Sequence, residues 1–307
     1  MMSEPKITVI ILHWRTYDLT TQCLQSLAAS RYQNYQVYVV DNGSQDGSLE
    51  RLQEAFPWIH SYSYQQNIGF AAGMNPAMQR AFEQDSDYVL LLNSDVLVPE
   101  DLLQELANAA EANPQIGILS PKTLWKGREE YLAGLGCRVR AFDLELIGWD
   151  VLDQPSSSRE PVLIESAFGS AMFLSRRMIE RVGLFDERFF FYYEDIDLCL
   201  RAREHGFFAA YLPHVAVRHV VSGSVRSVRG LRDFYMARSR QLFFRKYRRG
   251  LWRVGYICSE AYNLLYTIYI RLKEGSASNA LGYCAGVLAG LIMPVELPIH
   301  SNQKVLR

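Results

Sequence analysis

Cysteine is scarce in this chain and follows no pattern. The five that occur (Cys23, Cys137, Cys199, Cys258 and Cys284) are scattered and odd in number. This excludes a disulfide framework and paired cysteine metal ligands, and it fits a reducing, cytoplasmic setting. No run of about 18 charge-free apolar residues occurs, so no transmembrane helix is expected. Met1 to Lys6 is polar and leads straight into an apolar run, which argues against a secretory signal. Internal repeats are lacking, and so is an overall charge excess: the net charge is -1. That near-neutrality is unevenly spread. Between Arg226 and Arg253 there are ten Lys/Arg and one acid, a local +9, which leaves about -10 for the remainder. The asymmetry predicts one basic surface rather than a basic protein.

What is present first is a rhythm. Apolar, β-branched runs such as Ile7–Leu12 and Gln36–Val40 alternate with segments of helical spacing. Leu19, Cys23, Leu24 and Leu27 follow the first run, and Leu49, Leu52 and Phe56 follow the second. Phe70, Met74, Ala77 and Ala81 mark a third helix, and Leu102, Leu103 and Leu106 a fourth. This pitch predicts βα units and an α/β fold with a mostly parallel sheet flanked by helices. Beyond about residue 120 the rhythm is lost. Trp125–Asp150 is mixed, Gln154–Pro161 reads as a loop, and Val162–Ser175 reads as a long strand interrupted at Gly169. Phe207–Leu212 and Val215–Val220 read as two short strands. From Arg226 onward the chain reads as helical, basic and aromatic.

The run Tyr88-Val-Leu-Leu-Leu-Asn-Ser-Asp95 concentrates the chemistry. A continuous apolar run is a strand buried on both faces, and its C-terminal end lies at the lip of the sheet, where open α/β folds bind ligands. A carboxylate there needs a partner, and Mg2+ or Mn2+ is a natural one, because these ions take one or two carboxylates plus phosphate oxygens and water. Asp41, Asn67 and Gly69 also follow strands, so a parallel sheet brings them to the same edge; each can also be read as a plain turn or cap. Glu194-Asp195 forms a second acidic centre just after five consecutive aromatics, Phe189 to Tyr193. Apolar surroundings raise a carboxylate pKa toward that of a useful base, although Arg201 and Arg203 one turn on are alternative partners. His219, or His214 in its place, is a candidate third metal ligand. The cations of 226–253 alternate with aromatics, which suits nucleic acid or an anionic membrane surface, and the aromatic, leucine-rich sequence that follows (Tyr256–Ile270, then Ala280–Met293) favours the membrane.

These motifs occur in a telling order: a strand followed by Trp14, then Val-Val-Asp-Asn-Gly-Ser at 39–44, Asn-Ile-Gly-Phe-Ala-Ala-Gly-Met-Asn at 67–75, Leu-Leu-Asn-Ser-Asp at 91–95, Phe-Gly-Ser-Ala at 168–171, and Tyr-Glu-Asp-Ile-Asp-Leu-Cys-Leu-Arg-Ala-Arg at 193–203. In that order they resemble the inverting family-2 glycosyltransferases of GT-A fold, in particular the rhamnosyltransferase-like branch, over residues 7–225. The resemblance implies nucleotide-sugar contacts for Trp14, Asp41, Asn67, Gly69, Asn93, Ser94 and Gly169. It implies a Mg2+ or Mn2+ site at Asp95 and His219, and Asp195 as the catalytic base with Glu194 beside it. Asn93 departs from the usual first acid of the metal motif. The resemblance further implies transfer from a nucleotide sugar, dTDP-rhamnose for this branch, to a glycan or lipid-linked acceptor in surface-polysaccharide assembly. The expected organisation is a catalytic domain over 1–225 and a helical region over 226–307 that meets the inner face of the cell membrane and is able to dimerise. A sugar nucleotidyltransferase and a non-catalytic assembly partner are the competing readings.

Overall fold

The computed structural model describes residues 4–220 and 230–295. Its spine is a parallel half-sheet. The apolar runs form β1 (Ile7–His13), β2 (Tyr35–Asp41), β3 (His60–Ser63) and β4 (Tyr88–Asn93), ordered β3-β2-β1-β4. Side chains alternate across a strand, so each run feeds two cores. Val9, Ile11, Val39, Leu90 and Leu92 face α1 (Tyr17–Ala28), α2 (Ser48–Ala55) and α4 (Leu102–Ala112). Ile10, Tyr38, Val40, Val89 and Leu91 face α3 (Phe70–Glu83) on the other side.

Beyond β4 the sheet turns mixed. β12 (Ala171–Ser175) runs antiparallel to β4 and to β6 (Ile116–Trp125), and β13 (Phe208–His219) runs parallel to β6. β13 corrects the expectation of two short strands. It is a single strand with a register shift between Leu212 and Ala216, where Pro213 has no N–H to give the ladder. Val162–Ser175 also differs from one interrupted strand. It divides into β10 (Val162–Ile164) on the outer edge of β13, β11 (Ser166–Ala167) and β12, separated at Glu165 and Phe168–Ser170. The unreadable stretch after Trp125 forms β7 (Arg128–Gly134), β8 (Gly136–Val139) and β9 (Leu144–Ile147). β11, β8 and β9 make a separate three-stranded sheet.

α5 (Arg176–Val182) and α6 (Glu194–Glu204) complete the second face, and α7 (Leu231–Tyr247), α8 (Leu251–Lys273) and α9 (Ala277–Ile292) follow. α7 shares a buried cluster with the aromatic run: Leu242, Phe243 and Phe244 pack with Phe189, Tyr193 and Ile196. The predicted basic surface is therefore partly spent inside. Lys246 bridges Asp186 (2.9 Å) and Asp197 (2.5 Å), Arg240 binds Glu260 (2.8 Å) and Asp143 (2.7 Å), and Arg245 donates to the carbonyls of Gly290 and Met293. Burying a cation is tolerable only with such partners. Arg226 and Arg229 lie outside the described residues.

Candidate active site

Asp95 owes its position to a two-residue strand. β4 ends at Asn93, and after a turn Val96 and Leu97 form β5, antiparallel to the end of β13. Val96 pairs with His219, which brings the histidine back onto the turn: its Nε2 lies 3.0 Å from Asp95 Oδ1. The Val220 N–H donates to the Asp95 carbonyl at 2.9 Å. Asp95 therefore does not cap α4, whose N-cap is Asp101. His214, the alternative ligand, is held by Glu105 at 2.9 Å instead.

The Asp95–His219 pair fits a divalent ion as two of its ligands. Cis ligands about 2.1 Å from an octahedral ion stand roughly 3 Å apart, which is the observed spacing. No cluster of three or more His, Cys, Asp or Glu ligands occurs among the described residues, so the remaining ligands would be diphosphate oxygens and water. Among the described residues His219 Nδ1 is buried and without a partner, and the imidazole is fastened through Nε2.

A cavity of about 370 Å³ opens beside this pair, and Trp14, Asn67, Gly69, Asn93, Ser94, Asp95 and His219 all line it. Asn42, a residue the sequence suggested only as part of a turn, organises its far wall. Buried at the end of β2, Asn42 donates to Asn67 Oδ1 and the Gly69 carbonyl at 3.1 Å each and accepts from the Ile68 N–H at 3.0 Å. A glycine at the start of a helix lets backbone come close to a neighbour. The close approach found here is to the protein itself. At φ +92°, a Cβ on Gly69 would sit 2.6 Å from the Phe190 carbonyl, which accepts the Phe70 N–H at 2.7 Å. The loop is thus bolted to the aromatic run.

Asp41 stands apart, in a neighbouring cavity of about 280 Å³ with Gln45, Ser48 and Tyr64. Its carboxylate accepts from the Ser44 N–H (3.1 Å) and from the Ser44 hydroxyl, so it closes its own turn. Next to it in register, His13 is fully buried between Thr20 and Ser48, and that burial holds its pKa below the ordinary range.

The second acidic centre begins with strained backbone. Tyr192 (φ 69°) and Tyr193 (φ 72°) are both left-handed, an uncommon state for bulky residues, and they swing the chain so that Glu194 and Asp195 open α6. Glu194 is buried with Oε2 unpartnered, and burial followed by repulsion from Asp195 pushes its pKa well up. Asp195 remains reachable by solvent; burial raises its pKa to about 6 against the opposing hydrogen bond from the Ile196 N–H at 2.8 Å. The arginines do not quench this pair. Arg201 binds the fully buried Asp197 at 2.8 Å, and Arg203 reaches Glu165.

The two acidic centres are linked through β12's entry. The Asn93 N–H donates to the Ser170 carbonyl at 3.0 Å, and the adjacent Gly169 lies against Asp195. A Cβ on Gly169 would stand 2.7 Å from Asp195 Oδ2, so glycine is needed for the carboxylate to lie where it does. Gly169→Ala is expected to displace the carboxylate and to lower any turnover that uses it as a base by roughly 10²-fold, which steady-state kinetics checks. Asp195 and Glu194 do not line the 370 Å³ cavity itself; α7 does, through Leu231 and Tyr235, and Tyr235 stacks on Phe190 at 4.4 Å. Neither is legible as a cleft residue from local pattern, because their helix reads as a basic, aromatic surface.

The comparisons with known proteins agree on family and fold. The family described as Glycosyltransferase like family 2 matches residues 5–247, ending at the last residue of α7. The N-acetylglucosaminyl-diphospho-decaprenol L-rhamnosyltransferase of Mycobacterium tuberculosis is 26% identical over 214 residues, 64% of this chain and 70% of its own length. The dTDP-rhamnosyl transferase RfbF of Shigella flexneri is 22% identical over 241 residues, 75% of this chain and 78% of its own. Among solved structures, the mannosyltransferase PcManGT of Pyrobaculum calidifontis, in complex with GDP-Man and Mn2+, superposes with a TM-score of 0.55 at 19% identity, over 94% of this chain and 75% of that one. The fold is the GT-A arrangement that the motif order implied. With strand ends, cleft and α7 all inside the matched span, the chain belongs to glycosyltransferase-like family 2.

Proposed function

We propose that this protein is an inverting, metal-dependent glycosyltransferase that moves rhamnose from dTDP-rhamnose to a glycan or lipid-linked acceptor in surface-polysaccharide synthesis, working from the cytoplasm at the inner face of the membrane. The observation that carries the reading is the linkage of the Asp95–His219 pair to Asp195 through Asn93, Ser170 and Gly169. The rhamnosyl donor and the lipid-linked acceptor are supported by the names of the two relatives.

Asp95 and His219 are the residues that would hold Mg2+ or Mn2+, which when bound supplies positive charge to the departing diphosphate. The rest of the chemistry falls to the chain. The Asn42-pinned loop at Asn67–Gly69 shapes the cavity wall, and Trp14, Asn93 and Ser94 complete the donor's surroundings. Asp41, with its turn, offers the neighbouring cavity to the nucleotide base. Asp195 Oδ takes the proton of the acceptor hydroxyl as that oxygen attacks the anomeric carbon from the side opposite the diphosphate. One displacement inverts the centre. A base with a pKa near 6 is ionised at neutral pH yet still basic enough to accept this proton.

Thermal melting with a panel of nucleotide sugars, each with and without Mn2+, tests the reading. Because ligand stabilisation follows mass action, dTDP-rhamnose at about 100 times its Kd should add about 2.7 kcal/mol, and more with the metal than without. A panel in which no nucleotide sugar shifts the transition would refute it.

A further inference from the structure

The cations of α7 were the expected membrane contact, but several are spent internally. The uncovered surface lies one layer further out, on α8 and α9. On α8, Val254, Ile257, Tyr262, Leu265, Tyr269 and Leu272 recur at helical spacing and are all more than half exposed. On α9, Leu281 (71% exposed), Leu288 and Ile292 (86%) form a matching stripe.

This exposure is fixed by packing. The inner side of α9 is a glycine ladder laid on α7: a Cβ at Gly282, Gly286 or Gly290 would come within 2.5 Å of the carbonyls of Gly230, Phe234 and Arg238 respectively. α8 is oriented by buried Glu260, which binds Arg240 at 2.8 Å and accepts from the Tyr283 hydroxyl at 3.1 Å. Both helices are therefore held with their apolar stripes turned outward.

The charge pattern identifies what covers the stripes. From Val254 to Ile270 the only charged residue is Glu260, which faces inward, and α9 has none. Exposed Arg249 and Arg253 flank one end of α8; at the other, exposed Lys273 stands beside Glu274, which is paired with Arg271 at 3.0 Å. Tyrosines line the stripe, and Trp252 sits at its start, 61% exposed. Apolar side chains bounded by cations and edged with amphipathic aromatics match the interface of an anionic bilayer. Among the described residues no helix is long and apolar enough to cross a membrane.

We infer that the α8–α9 hairpin lies in the plane of an anionic membrane and inserts its outer apolar face into the headgroup–acyl boundary. Adhesion is then hydrophobic first and electrostatic second. Through α7, which lines the cleft and carries α9 on its back, the docked hairpin would hold the active site at a fixed height above the lipid. This deepens the proposed function by naming the surface that meets the membrane, and it rests on that function only for its purpose.

The test is flotation of the full-length protein with phosphatidylcholine vesicles and with mixed phosphatidylcholine/phosphatidylglycerol vesicles, at low and at high salt. Binding to the mixed vesicles is expected to survive high salt in large part. Leu265→Glu/Tyr269→Glu/Leu288→Glu should lower partitioning about tenfold or more, while its melting temperature and its shift with nucleotide sugar stay as in the parent. A milder Leu265→Ser/Leu288→Ser variant, expected to lose part of the binding, guards against misfolding of the first. Failure of the parent to float, complete release by salt, or a stable dimer in light scattering that the glutamates dissociate would each overturn the inference. Transfer to a water-soluble acceptor, measured in parallel, reports on the enzymatic reading separately: it should be unchanged in the variants.

Discussion

Asp195→Asn is expected to abolish sugar transfer and, above neutral pH, to make the protein more stable. Both effects follow from one placement. The carboxylate lies against Gly169, without a cationic partner among the described residues, and its folded pKa is raised to about 6 from an ordinary 3.8. The folded state therefore holds a proton that the unfolded state releases between roughly pH 4 and 6. Stability falls as pH rises through that window, and the cost is complete above it. The gap of about two pH units corresponds to 1–3 kcal/mol once the solvent access of Asp195 is allowed for. Asparagine keeps the shape and carries no charge, so the cost disappears. The same substitution removes the proposed proton acceptor, and loss of a positioned base lowers rate by about 10²–10⁴-fold. For the parent enzyme, kcat/KM should climb with pH and level off above about 6. A variant that is inactive, binds donor normally and melts higher at pH 8 fits the assignment. A variant with full turnover would move the base elsewhere, with Glu194 next in line.

Asp95→Asn should separate metal from donor. The amide can still meet His219 Nε2, so the junction of β5 and β13 is expected to survive and the melting temperature of the free protein to change little. What is lost is the anionic member of the pair. In the parent, Mn2+ should add several degrees to the stabilisation by a nucleoside diphosphate; in the variant that increment should vanish, leaving only the metal-independent part. Transfer should fall at least as far as donor binding does, because the diphosphate leaving group loses its counter-charge. An unchanged Mn2+ increment would reduce Asp95 to a structural tie for the end of β13.

The half of the fold that the sequence reveals is the half buried on both faces. Val37–Val40 and Val89–Leu92 are apolar at every position because helices cover both sides, and such runs are readable without a partner. β7 and β9 are not readable, since most of their residues are exposed or half-exposed and lie outside the main sheet's core. The strand-end residues Asn67, Gly69, Asn93, Ser94 and Asp95 reach one cavity because parallel strands all end on the same edge. Asp41 ends its strand beside them but opens on the neighbouring cavity, a distinction that depends on which way one side chain points. Gly69 shows a second limit. A glycine after a strand signals a close approach, but not whether to a ligand or to the Phe190 carbonyl. α7 shows a third. Lys246 finds its acids 60 and 49 positions upstream, and no local pattern announces such pairs.

The proposed transfer requires the diphosphate at Asp95 and His219 and the reacting carbon turned toward Asp195. Determining the structure with nucleotide sugar and Mn2+ bound tests this most directly. The expected result is electron density for the ion between Asp95, His219 and both phosphates, with the anomeric carbon on the Gly169 side, open to Asp195. Density showing the diphosphate away from Asp95, or the sugar directed away from Asp195, would contradict it.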